Sequence, residues 1–158
     1  DLLQWACKAI VPGRAFLRRL YDALKHRKNK RHRMRVTAEM KDDLHVWDCF
    51  LRSFNGRSLM LPQHAPECVI YTDASKSVGY GCVTSTGWWF CGLWPASWSP
   101  LSIAVLELAP IVLAVATWGG DLAHKVLHVY SDNLGLVTSI NAQSAKDRTL
   151  MALIRRLV

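Results

Sequence analysis

The sequence predicts an α/β fold: a mixed sheet of three antiparallel strands plus a parallel fourth, with packed helices, preceded by a basic helical segment. Three observations lead there. Short β-branched and aromatic runs joined by turn residues follow one another between residues 68 and 94, as in an antiparallel meander. A long, almost uncharged helical stretch then leads to one more apolar run, and a strand reached through a helical crossover pairs in parallel. Charge is also uneven. Of the 158 residues, 1–61 carry 14 Lys/Arg against 6 Asp/Glu, whereas 62–158 carry 6 of each. This shift, with Pro62 and Pro66, divides the chain into a basic helical segment over 1–61 and a neutral, apolar globular one over 62–158.

Each element has a residue-level reason. Pro12-Gly13 breaks the chain, and Phe16, Leu17, Leu20, Tyr21 and Leu24 then fall on one stripe, which predicts a helix over 14–27. A second helix is expected over 37–54. Thr37 can cap it, Glu39 sits in its first turn, and Met40, Leu44, Trp47, Phe50, Leu51 and Phe54 recur at helical spacing as a core stripe. Asn55-Gly56 ends it. Strands are expected at 68–72, 80–85 and 88–94, with Asp73-Ala74-Ser75 and Thr86-Gly87 as turns. Residues 102–118 read as a helix apolar nearly all round, packed on the sheet and stopped by Gly119-Gly120. Pro110 costs little if the regular helix begins near Glu107, and kinks it otherwise. Residues 126–130 read as the fourth strand, parallel to the first. Residues 134–142 and 147–158 read as helices, the last with Leu150, Leu153, Ile154 and Leu157 on one face.

Composition removes several function classes. With 51% hydrophobic residues and 7 Trp, the chain has too much apolar mass for wholesale disorder. The longest apolar stretch, 108–118, is too short to cross a bilayer and contains Pro110, so no membrane partner is expected. No basic region leads into an apolar run at the start, and no N-x-S/T sequon occurs. The five cysteines are odd in number and lack C-x-x-C spacing. An intracellular protein, cytoplasmic and/or nuclear rather than secreted, is therefore expected. The first residue is Asp rather than Met, as in a piece of a larger polypeptide. No G-x-S-x-G elbow supports a serine hydrolase. His124 and His128 are four apart, but His128 falls in a strand and no third zinc ligand is near.

Residues 25–35, KHRKNKRHRMR, hold seven Lys/Arg and two His. Such a run repels itself and does not fold alone. It reads either as a solvated loop or localisation signal, or as a phosphate-backbone contact made by Lys25, Arg27, Lys28, Lys30, Arg31, Arg33 and Arg35. The concentration of charge favours the contact and makes nucleic acid the expected partner.

Three acids of the second half sit where charge is unexpected. Asp73 and Asp132 each follow an apolar strand, and Glu107 is the only ionisable residue of its helix. If the two strands are parallel neighbours, both aspartates lie at one sheet edge, and the helix above can bring Glu107 beside them. Converging carboxylates repel, and a hard divalent cation, Mg²⁺ or Mn²⁺, resolves this. Two such ions suit phosphodiester hydrolysis. Taken singly, either aspartate reads as a turn or helix-cap residue. Ser75 and Asn133 stand beside the aspartates. Asn133 either tunes the site or caps the next helix, and capping is the commoner role. The tryptophans at 88, 89, 94 and 98 read mainly as packing, with part of a substrate wall as the alternative.

The order YTDAS (71–75), a three-strand meander, LEL (106–108) opening a helix, and YSDN (130–133) ending a strand resembles the ribonuclease H fold. More closely, the chain resembles the reverse-transcriptase tail and ribonuclease H domain of DIRS-type, tyrosine-recombinase retrotransposons. PGRAFLRRLYDAL (12–24), the 47–56 segment ending FNG, the Gly-Trp-Trp strand with WPASW (94–98), and ELAPIVLAVATWG (107–119) carry that likeness over nearly the whole chain. The resemblance implies that 1–61 correspond to the thumb and connection region behind a polymerase. It implies that the rest is a ribonuclease H domain cutting RNA in an RNA–DNA hybrid, with Asp73, Glu107 and Asp132 as metal-binding and catalytic carboxylates for two ions. The polymerase part of the same polyprotein is an implied partner. The family pattern continues past Val158 with a fifth strand and a helix bearing a fourth carboxylate, so the chain is expected to be a C-terminally truncated or degenerate copy, or a fragment of a longer product. Asp147, the one later acid, does not match that position. Weak or absent turnover and an exposed fourth strand are expected in consequence. The alternative is an inactive nucleic-acid-binding remnant, and a third reading is a product that does not fold stably.

Overall fold

The computed structural model describes residues 2–25, 29, 33–56 and 66–158. The chain forms two compact units, Asp1–Leu59 and Met60–Leu157.

The first unit is helical. Helix α1 spans Leu2–Ala6, a 3₁₀ helix spans Val11–Phe16, α2 spans Arg18–Lys25 and α3 spans Ala38–Ser53. Helix α1 is too short to have left a periodic signal. The single helix expected over 14–27 is instead two pieces. Pro12 opens the 3₁₀ turn, where its missing N–H costs nothing. Gly13 beside it is buried against the Trp47 indole, and the chain enters α2 only after Leu17. The cap on α3 is as expected: Thr37 Oγ1 accepts a hydrogen bond from Met40 N at 3.3 Å. Cys7, Ile10, Leu17 and Trp47 form the core, with Phe16, Leu20 and Phe50 packed against it. Leu44, Leu51 and Phe54, expected in that core, are exposed. The short helices present enough surface to cover only the Met40–Asp43–Trp47–Phe50 side of α3.

The second unit is a four-stranded mixed sheet with packed helices. Strands β1 (Glu67–Ala74), β2 (Gly79–Thr84), β3 (Trp89–Leu93) and β4 (Val126–Tyr130) lie in the order β3-β2-β1-β4. β1 pairs antiparallel with β2 and parallel with β4, and β2 pairs antiparallel with β3. A short 3₁₀ turn, Ala96–Trp98, leads to α4 (Ile103–Leu122). After β4 come α5 (Leu134–Ala142) and α6 (Arg148–Leu157). Asn133 and Asp147 cap α5 and α6, accepting from Leu136 N at 3.0 Å and Leu150 N at 2.8 Å.

Helix α4 packs on β1, β2, α5 and α6. Its Ala114 and Leu122 join Cys68, Ile70 and Cys82 in one buried cluster, flanked by Trp88, Phe90, Trp118, Leu127 and Val129. This helix starts where expected, settles the place of Pro110 and corrects the sequence reading at its end. It begins at Ile103, so Pro110 lies inside it and denies Leu106 its usual hydrogen-bond donor. It also runs through Gly119-Gly120, because Trp118 and Leu122 on either side are held in the core, which outweighs the weak helix propensity of glycine. At 20 residues and a mean hydropathy of 1.8, α4 is long and apolar enough to cross a bilayer, contrary to expectation. In the fold it serves as the core helix, burying Val105, Leu106, Leu108, Ile111 and Ala114.

The other sheet face is open. Trp89, Val83, Tyr71 and Tyr130 are registered neighbours across all four strands and are 70%, 45%, 51% and 59% exposed. Tyr71 and Tyr130 stack with ring centroids 5.4 Å apart. As expected, β4 is a sheet edge.

Candidate functional site

The parallel pairing of β1 with β4 sets the site. Tyr71 is level with Tyr130 in the ladder, so Asp73 and Asp132 each lie two residues beyond the same rung. Adjacent strands are about 4.8 Å apart, so the two aspartates occupy neighbouring positions at one sheet edge. Asp73 is the penultimate residue of β1, opposite Gly81, and its Oδ1 accepts from Ala74 N at 2.8 Å. Asp132 lies in the turn between β4 and α5. There Ser131 Oγ accepts from Asn133 N at 3.2 Å, and Asn133 caps the helix. Both aspartates are exposed.

Glu107 reaches the same edge by the direction of α4. The helix ends at Leu122, and Val126 soon afterwards is level with Glu67 at the start of β1, so α4 runs antiparallel to both strands. Leu122 and Ala114 share one buried cluster with Cys68 and Ile70. Seven residues back from Ala114 is about 10 Å of helix, equivalent to about three residues of strand. On that spacing Glu107 lies toward the strand end that carries Asp73. Its Oε2 is buried and has no hydrogen-bond partner, which is costly for a carboxylate left without a cation.

The three positions thus share one edge, but their side chains do not close into a single set. Among the described residues, no three His, Cys, Asp or Glu side chains stand close enough to hold one ion. The hard oxygen donors and the orphaned Glu107 Oε2 nevertheless fit Mg²⁺ or Mn²⁺ in kind.

The flanking residues have structural tasks. Ser75 N donates to Gly79 O at 2.9 Å and Ser75 O accepts from Trp94 Nε1 at 2.8 Å, so the turn after Asp73 is braced by an indole. Trp94 in turn stacks on Trp98, centroids 5.3 Å apart, and contacts Tyr80 at 4.4 Å. The sequence reading did not foresee this brace; the WPASW run was its only signal. Trp88 packs toward the core, whereas Trp89 projects from the open face. His128 lies 3.6 Å from Glu67 across the β1–β4 pair, away from any zinc set.

Of the basic run, Lys25 ends α2 beside Asp22 at 3.9 Å, and Arg33 and Arg35 are exposed. Arg35 and Lys41 line an open recess before α3 with Val36, Thr37 and Ala38. Arg27, Lys28, Lys30 and Arg31 lie outside the described residues. No protein-family model matches the chain, and no curated protein matches it.

Proposed function

We propose that residues 62–158 are a ribonuclease H-like domain derived from a DIRS-type retrotransposon, acting as a metal-dependent endonuclease on RNA in RNA–DNA hybrids. The observation that carries this reading is the shared register of Asp73 and Asp132 past the Tyr71–Tyr130 rung, at the edge where α4 begins. The strand order and the unpartnered Glu107 oxygen support it. Asp73, Glu107 and Asp132 would hold Mg²⁺ or Mn²⁺, which supplies charge neutralisation and Lewis acidity at a phosphodiester. Asn133 fixes the turn that carries Asp132, and Ser75 with Trp94 fixes the turn after Asp73. Residues 1–61 would be the thumb- and connection-like part of the reverse transcriptase, with the basic run 25–35 gripping the duplex backbone by charge. The rest of the polyprotein's polymerase would be a partner, and work on RNA templates and DNA copies places the activity in cytoplasm, nucleus or both.

Two observations favour a second reading, an inactive nucleic-acid-binding remnant: Asp73 Oδ1 is engaged by its neighbour's N–H, and among the described residues the three side chains are not gathered. One experiment separates the two. An end-labelled RNA–DNA hybrid is incubated with the protein and Mg²⁺ or Mn²⁺, beside Asp73→Asn. Metal-dependent cutting of the RNA strand alone, lost in the variant, is the expected result. Binding without cutting by folded protein establishes the remnant. Neither binding nor cutting removes both readings.

A further inference from the structure

Helix α3 carries two soft-metal ligands on one exposed side. His45 Nε2 and Cys49 Sγ lie 3.9 Å apart, one helical turn from each other, and both residues are exposed. Cys49 is a free thiol. A tetrahedral Zn²⁺ with bonds of about 2.3 Å to sulfur and about 2.0–2.1 Å to nitrogen holds those two atoms about 3.6 Å apart. The pair is therefore within a few tenths of an ångström of a chelate, with no backbone movement. The helix is also locally acidic within a basic segment: Glu39, Asp42, Asp43 and Asp48 stand against Lys41 and Arg52.

Among the described residues no third ligand joins the pair, which by itself supplies two of the four positions of a tetrahedral shell. We propose that His45 and Cys49 from two copies of this chain hold one Zn²⁺ on a two-fold axis. The ion binds the neutral Nε2 lone pair and the Cys49 thiolate, whose proton leaves to solvent. A two-fold axis closes the assembly, since each copy presents the same pair. With the α3 helices antiparallel about the midpoint of positions 45 and 49, position 52 of one copy faces position 42 of the other. Arg52, 78% exposed and paired with Asp48 at 2.7 Å on its own helix, then lies opposite Asp42 of the second copy and can be shared between the two carboxylates, so the flanks of the ion are complementary in charge.

The test is titration of the reduced, chelator-stripped full chain with Zn²⁺, followed by sedimentation velocity, with Co²⁺ as the spectroscopic probe. One metal per two chains, a monomer-to-dimer shift, tetrahedral Co²⁺ visible bands and a sulfur-to-metal charge-transfer band are expected. His45→Ala and Cys49→Ser each weaken binding by at least about tenfold and abolish the dimer. Cys91→Ser, which removes the other exposed thiol, changes neither. Circular dichroism checks that the variants keep their fold. Binding that survives both α3 substitutions, a one-to-one monomeric complex, or no binding against a weak chelator each overturns the proposal.

Discussion

Arg19 donates through Nη1 to Asp43 Oδ1 at 2.8 Å, a charged contact between α2 and α3 in which Asp43 is 2% exposed and Arg19 37%. Exposed pairs contribute up to about 1 kcal/mol, and breaking a fully buried one costs about 3–5 kcal/mol. This half-enclosed pair falls between. Arg19→Ala is expected to cost about 2 kcal/mol in urea unfolding, because it takes the guanidinium away from a buried carboxylate. Arg19→Met with Asp43→Leu should recover most of that loss. Equal losses in the single and double variants would show that the pair holds α2 and α3 together by more than charge balance.

A methyl group at Gly13 would sit 2.3 Å from Trp47 Cζ2. Gly13→Ala therefore forces the core indole of the first unit to move, at about 1–3 kcal/mol. Gly119 in α4 has nothing within 4 Å of the same position. Gly119→Ala should stabilise the helix by about 0.5–1 kcal/mol through the lost flexibility of the unfolded chain. Thermal melts of the two variants should shift in opposite directions.

These positions also separate what the sequence could tell from what it could not. The strands and the parallel return of β4 were legible, because β-branched runs and a helical crossover leave few topologies. The shared edge of Asp73 and Asp132 followed directly from that topology. The continuation of α4 through Gly119-Gly120 was not legible, since it depends on Trp118 and Leu122 meeting the sheet. Nor was the exposure of Leu44 and Leu51: periodicity marks an apolar stripe, but only the partners of α3 decide how wide a stripe is covered. The gathering of the carboxylates depends on side-chain directions, which spacing does not encode.

Burial, with Cys68 nearby, pushes the Cys82 thiol from 9.0 up to about 11, and burial raises Cys7 as well. The folded state thus holds these protons more tightly than the unfolded chain. The Cys82 contribution is fully present below about pH 9 and is lost as pH rises toward 11. The unfolding free energy should fall over that window, and Cys82→Ala should flatten the slope. In the native protein at neutral pH, a thiol reagent should modify exposed Cys49 and Cys91 first, with Cys7, Cys68 and Cys82 reacting only on unfolding.

Glu107 gives the sharpest separation of metal binding from mere burial. Its Oε2 is enclosed without a hydrogen-bond partner, an unsatisfied polar atom that a bound cation would meet. Glu107→Gln keeps the shape and removes the charge. Without divalent ions it should change stability by less than about 1 kcal/mol, because the amide leaves the same polar position unsatisfied. With Mg²⁺ the wild type should become the more stable of the two. A ligand at about a hundred times its Kd adds about 2.7 kcal/mol to the state that binds it, so the wild-type melting temperature should climb several degrees while that of Glu107→Gln stays still. Asp73→Asn and Asp132→Asn should lose the same response if the three positions at that edge act on one ion cluster. A wild-type melt indifferent to both Mg²⁺ and Mn²⁺ would mean that the edge does not hold these ions, and that the buried oxygen of Glu107 is a strain the fold simply carries.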